Sequence, residues 1–137
     1  MSHSINHQFI HLMWATKNLA PLMTESSQSP LLGYLTGVVK NLGGQVFASC
    51  GTSNHVHLLA NTPTNLSIAD LLRRIKSSSS IWYREKNHSH PFNWNEGYSA
   101  FTISPNATDK LKRYLSNEEN RHKKDSFEDE LMNFLRI

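Results

Sequence analysis

Apolar positions recur at two different spacings along the chain, and each change of spacing marks a new element. His7-Gln8-Phe9-Ile10-His11-Leu12-Met13-Trp14-Ala15 mixes aromatic and branched side chains, which predicts a strand buried on at least one face. His7 and His11 share parity and therefore one face of that strand. They could approach a ligand, but we read them as structural or solvent-exposed. Thr16 to Pro21 is a loop in which Lys17 and Asn18 can meet a polar partner. From about Ser29 to Leu42, apolar Leu31, Leu32, Leu35, Val38, Val39 and Leu42 recur at helical spacing, and Gly43-Gly44 supplies the stop. Gln45 to Ser49 is a short strand, Gly51 to Asn54 a tight connection, and His55-Val56-His57-Leu58-Leu59 the hairpin partner, bounded by Asn61-Thr62-Pro63.

Ser67 is placed as the N-cap of a second helix, with Ile68, Leu71, Leu72, Ile75, Trp82 and Tyr83 on one stripe. Tyr98 to Ile103 reads as the last strand. Ser104-Pro105-Asn106 then starts a helix running to about Lys124, and Ser126-Phe127-Glu128-Asp129 opens a final one with apolar Phe127, Leu131, Phe134 and Leu135. Strand, helix, strand, strand, helix, strand is the ferredoxin-like order: an α+β fold whose antiparallel sheet carries two helices on one face, here with additional C-terminal helices.

Composition changes this picture little. At 137 residues the chain is expected to be a single domain, 1–137, with 38% hydrophobic and 18% charged residues. No apolar run approaches a membrane span, so a cytoplasmic protein with no membrane partner is expected. The single cysteine, Cys50, lies beside a strand and reads as a small core residue. A net charge of +3 favours acidic partners only weakly, so the location of the charge matters more.

Candidate chemistry begins with His55 and His57, which alternation puts on one face of their strand, a geometry suited to metal chelation. Alone, the pair fits two half-exposed structural histidines equally well. Tyr114 and Glu118 stand four residues apart and so stack on one face of their helix. If that helix lies on the open face of the sheet, Glu118 completes a His55, His57, Glu118 metal site with Tyr114 beside it. Two imidazoles and one carboxylate leave coordination positions for water and a phosphate oxygen, and suit Mg²⁺ or Mn²⁺. The reaction this assembles is phosphoryl transfer, with Tyr114 as nucleophile and a covalent phosphotyrosine intermediate. Arg73, Arg74 and Lys76 on the second helix, and Lys110, Lys112 and Arg113 near the tyrosine, are candidate phosphate contacts, although a solvated helix face explains the former equally well. Asn87 to Gly97, with His88, His90, Pro91, Phe92 and Trp94, reads as a loop on which unpaired bases could stack.

At these residues the sequence resembles the single-tyrosine HUH transposases of the IS200/IS605 family, including their relatives associated with repetitive extragenic palindromes. The likeness runs through His55-Val56-His57, the helix Ile68-Ala69-Asp70-Leu71-Leu72-Arg73-Arg74-Ile75-Lys76, Phe92-Asn93-Trp94-Asn95-Glu96-Gly97-Tyr98 and Tyr114-Leu115-Ser116-Asn117-Glu118. It implies a homodimer that binds hairpins of single-stranded DNA and cuts and rejoins strands through a 5′-phosphotyrosine link. It also implies that the helix of Tyr114 can serve the HUH site of a partner subunit. Two positions depart from the family pattern: Glu118 stands where Gln is common, and Asn54 where Asp is frequent. A non-catalytic single-strand-binding module of the same fold, or a domesticated relative that processes such palindromes, is the alternative. Against the binding module, histidines rather than aromatics stand on the strand face it would use.

Overall fold

Strands β1 (Phe9–Ala15), β2 (Gln45–Gly51), β3 (His55–Asn61) and β4 (Ser99–Ile103) form one antiparallel sheet in the spatial order β2-β3-β1-β4. This is the ferredoxin-like arrangement that the element order predicts. The structure, a computed structural model, describes residues 5, 7–88, 91–116 and 126–135. Its helices are α1 (Glu25–Asn41), α2 (Ile68–Lys86), α3 (Thr108–Ser116) and α4 (Phe127–Leu135).

One face of the sheet carries Ile10, Leu12 and Trp14 of β1 and Val56 and Leu58 of β3. They pack on Leu31, Leu35 and Val39 of α1 and on Leu71, Leu72, Ile75 and Tyr83 of α2 in one buried cluster. Each fully buried aliphatic side chain contributes roughly 1.5–3 kcal/mol, so this layer holds the two helices on the sheet. The opposite face carries Leu59, which joins Leu111 and Leu115 of α3 in a smaller cluster, with Phe9, Phe47, Cys50, Tyr114 and Phe134 around it. Cys50 is half-buried there, in keeping with a packing role.

Local chemistry explains most boundaries. Ser67 Oγ accepts from Asp70 N at 3.1 Å and caps α2. Ser126 and Asp129 exchange side-chain-to-backbone hydrogen bonds of 3.2 and 3.4 Å, a capping box at the start of α4. Gly43 ends α1 with φ +98°, and a Cβ on Gly44 would meet Asn61 O at 2.7 Å, so that turn requires both glycines.

Helix α1 begins four residues before the predicted Ser29 and includes Pro30. Its start is set by a long-range contact: Tyr83 Oη lies 2.8 Å from Ser27 Oγ and donates to Leu22 O at 3.2 Å, anchoring the first turn from α2. The helix expected from Ser104 starts with a 3-10 turn over Pro105–Ala107 and continues as α3, and its expected course beyond 116 to Lys124 lies outside the described residues.

The segment between α2 and β4 differs from expectation. Phe92 is 1% exposed and stacks on Tyr83 with centroids 4.2 Å apart, and Trp94 donates from Nε1 to Ser79 Oγ at 2.9 Å. Phe92 belongs to the core and Trp94 packs against it half-buried, because Arg84 donates to Phe92 O at 3.0 Å and pulls the segment back onto α2. His88 is exposed, and His90 lies outside the described residues.

Candidate metal centre

The face of β3 that turns away from α1 and α2 presents His55 and His57. A centrally placed strand, paired with β1 on one side and β2 on the other, fixes their backbone and leaves the imidazoles only rotamer freedom. Both residues are fully buried. Their Nδ1 atoms are held by neighbours. His55 Nδ1 lies 2.8 Å from Asn54 Oδ1 and 3.1 Å from Thr52 Oγ1. His57 Nδ1 lies 2.9 Å from His11 Nε2, with the two rings stacked at 17°. With their Nδ1 atoms so engaged, both rings present Nε2 to the same point.

Glu130 occupies that point. Its Oε2 is 3.1 Å from His55 Nε2 and 3.0 Å from His57 Nε2, and the carboxylate is itself fully buried. The helix α4 brings it there because Phe127 and Phe134 flank it on the same stripe. Phe127 packs 5.0 Å from His55, and Phe134 packs 4.6 Å from His11 and 5.5 Å from Tyr114. Ligand atoms of His55, His57 and Glu130 lie within 4.8 Å of one another. Two imidazoles and one carboxylate surround a position that a divalent cation could fill, and such a mixed nitrogen and oxygen donor set is compatible with Mg²⁺ or Mn²⁺.

His11 is the third imidazole of the face. Burial lowers its pKa from 6.5 to about 3, with the neighbouring His57 adding to the shift and Glu130 opposing it. It is therefore neutral at physiological pH. The sequence reading of His11 as structural or exposed missed its bond to His57.

Residues 4–118 match the family model described as Transposase IS200 like. The chain belongs to this transposase family. Among solved structures, a protein from Deinococcus radiodurans R1 assigned as a transposase superposes with a TM-score of 0.66 at 21% identity, over 85% of this chain and 95% of that one. A REP-associated tyrosine transposase, solved bound to a REP hairpin, superposes with a TM-score of 0.64 at 15% identity, over 89% of this chain and 72% of that one. A search of curated protein sequences finds no significant match. The family match ends before α4, so Glu130 lies outside it.

In this transposase Tyr114 sits half-buried on α3 in the cluster that borders the centre, with Phe134 bridging it to His57 at a centroid distance of 6.3 Å from the imidazole. Glu118 lies outside the described residues. Among the described residues the carboxylate brought to the histidines is Glu130, and the sequence did carry a signal for it. Position 130 falls on the same helical face as Phe127, Leu131 and Phe134, where an acidic side chain must find buried partners.

The basic candidates are distributed unevenly. Arg73, Arg74, Lys110, Lys112 and Arg113 are exposed, with Arg73 paired to Asp70 at 2.6 Å and the Lys112 ammonium 5.7 Å from the Phe47 ring centre. Lys76 is different. Its Nζ donates to Asn95 O at 2.6 Å and Gly97 O at 2.9 Å, and partial burial lowers its pKa, opposed by Glu96. Lys76 therefore ties down the segment before β4. No described helix is long and apolar enough to cross a membrane.

Proposed function

We propose that this transposase cuts and rejoins single-stranded DNA at hairpin ends through a covalent 5′-phosphotyrosine intermediate. Tyr114 is the nucleophile, and His55, His57 and Glu130 hold a divalent cation, Mg²⁺ or Mn²⁺. The observation that carries this reading is the convergence of two buried Nε2 atoms on one buried carboxylate oxygen at 3.0 and 3.1 Å. A cation bound there would polarise a phosphate oxygen and offset the charge that develops as the phosphorus is attacked. Tyr114 Oη attacks the phosphorus and its proton passes to solvent. The Oη–P bond forms, the P–O3′ bond breaks, and the departing 3′ oxygen takes up a proton. Rejoining reverses the exchange with a 3′ hydroxyl as attacking group, so no nucleotide cofactor is needed.

Glu118, one helical turn after Tyr114 by sequence spacing, is the second carboxylate proposed for the cation, and E118Q and E130Q variants compared for Mn²⁺ affinity assign the role. Arg73, Arg74, Lys110, Lys112 and Arg113 are proposed to hold backbone phosphates. Lys76, named with them from the sequence, is proposed to contribute by shaping the segment before β4. The relative bound to a REP hairpin supports hairpin DNA as the partner class, and the family resemblance supports a homodimer as the working assembly. His55, His57 and Glu130 are fully buried, so a DNA phosphate reaches them only when α4 shifts. A cavity of about 410 Å³ lined by Leu19, Asn54, His55, Ser126 and Phe127 is the side from which it would enter.

The test is incubation with labelled single-stranded DNA from the flanks of its own gene, with Mg²⁺ or Mn²⁺, followed by a denaturing gel. A metal-dependent covalent adduct that disappears in Tyr114→Phe and His57→Ala is expected. Tight binding with no adduct, for several flanking hairpins and both ions, would replace this reading with a non-catalytic binding module.

A further inference from the structure

We propose that His11 is a positioning residue that holds His57 in the orientation and tautomer needed to bind the cation. The inference rests on the proposed His55, His57, Glu130 centre and extends it to a residue that the family-motif reading left unused. His11 belongs to β1, pairs with Leu59 in the β1–β3 register and lies diagonally beside His57 on the same face. Its Nε2 is 2.9 Å from His57 Nδ1.

An imidazole that gives Nε2 to a cation carries its one proton on Nδ1 and needs an acceptor there. For His55 the acceptor is the Asn54 amide oxygen at 2.8 Å. For His57 it is His11 Nε2. Water cannot substitute, because His11 is fully buried, with Phe134 edge-on at 4.6 Å and Phe101 at 5.8 Å.

With Nε2 accepting, His11 carries its own proton on Nδ1, and this atom has no hydrogen-bond partner among the described residues. An unsatisfied buried donor costs about 1–3 kcal/mol. Among aromatic neighbours a phenylalanine would pack without that cost, so packing alone does not account for a histidine at this position.

The experiment titrates the full chain and its His11→Phe and His11→Gln variants with Mn²⁺ by calorimetry, with urea unfolding to check the fold. His11→Phe should unfold near the wild-type urea concentration, since it removes the unmatched His11 Nδ1 but also the His57 Nδ1 contact, while Mn²⁺ affinity falls by about 10–100-fold, the usual effect of losing a ligand's supporting partner. His11→Gln, whose Oε1 can reach the place of Nε2 and accept the same proton, should return the affinity to within about threefold of wild type. A His11→Phe protein with unchanged affinity, or a Gln variant as weak as the Phe variant, overturns the inference and leaves the metal centre standing. A wild-type chain without Mn²⁺ affinity overturns both. Should the Phe variant not fold, ¹⁵N imidazole spectra of the wild type with Mg²⁺ decide. A proton on Nδ1 of His57 supports the role, and one on Nε2 overturns it.

Discussion

The two faces of the sheet are built from the same strands, one residue out of step, and they serve opposite ends. Leu12 and Trp14 alternate with His11 and Met13 along β1, and Val56 and Leu58 alternate with His55 and His57 along β3. The face toward α1 and α2 is an aliphatic and aromatic layer with few polar atoms, of which Tyr83 Oη is hydrogen-bonded to Ser27 Oγ while Trp14 Nε1 meets no hydrogen-bond partner among the described residues. The face toward α3 and α4 buries three histidines and a glutamate, which a core built only for stability would avoid. One face is optimised for packing. The other buries imidazoles and a carboxylate at a cost that the proposed metal centre would explain, and on that reading only the first could be exchanged for other apolar residues without loss of chemistry.

The largest effect expected from breaking this contrast is at the reactive face. Tyr114→Phe and His57→Ala should each reduce covalent DNA capture to background on a denaturing gel while hairpin binding persists in a filter assay. Next comes the packing face: Leu58→Ala, at a fully buried position, should lower unfolding free energy by about 2–5 kcal/mol in urea titration. Glu130→Met is the sharpest comparison between the faces. It should abolish Mn²⁺ binding in calorimetry and lower unfolding free energy by about 1–3 kcal/mol in urea titration, because it takes from two buried imidazole Nε2 atoms the carboxylate oxygen they meet.

Acidification gives a smaller signal. His11 has a folded pKa of about 3 against 6.5 for the free side chain, so between those values the unfolded chain binds a proton that the native one refuses. Its contribution to stability is present above pH 6.5 and is lost as pH falls toward 3. Urea midpoints measured at pH 7 and pH 5 should therefore converge more closely in His11→Phe than in wild type. The smallest effect belongs to the surface: Arg73→Ala should change stability by under about 0.5 kcal/mol, since the pair with Asp70 is exposed, while reducing the salt dependence of DNA binding by about one phosphate contact.

Sequence periodicity was sufficient for much of the architecture because it reports burial, and burial follows sheet and helix geometry. The stripe in α2, its Ser67 cap and the parity of His55 and His57 are all local properties of a few consecutive residues. Aromatic content was a poorer guide. Phe92 and Trp94 resemble stacking platforms in sequence, yet Arg84 and Ser79 bind the segment inward, with Phe92 in the core and Trp94 half-buried against it. Lys76 likewise counts as a phosphate contact by charge alone, whereas its ammonium is engaged by Asn95 and Gly97 carbonyls 19 and 21 residues away.

By itself the sequence determined the order of strands and helices and the shared face of the two histidines, and it supplied Tyr114 as the proposed nucleophile. Only the tertiary structure brought Glu130 to the histidines and His11 to the side of His57. Glu130 is 73 residues from His57 and His11 is 46 away, and neither separation has a period that a local pattern can express. Their meeting follows from the packing of Phe127 and Phe134 on the sheet and from the β1–β3 register. Both are set by the total burial of apolar surface, not by any short stretch of residues.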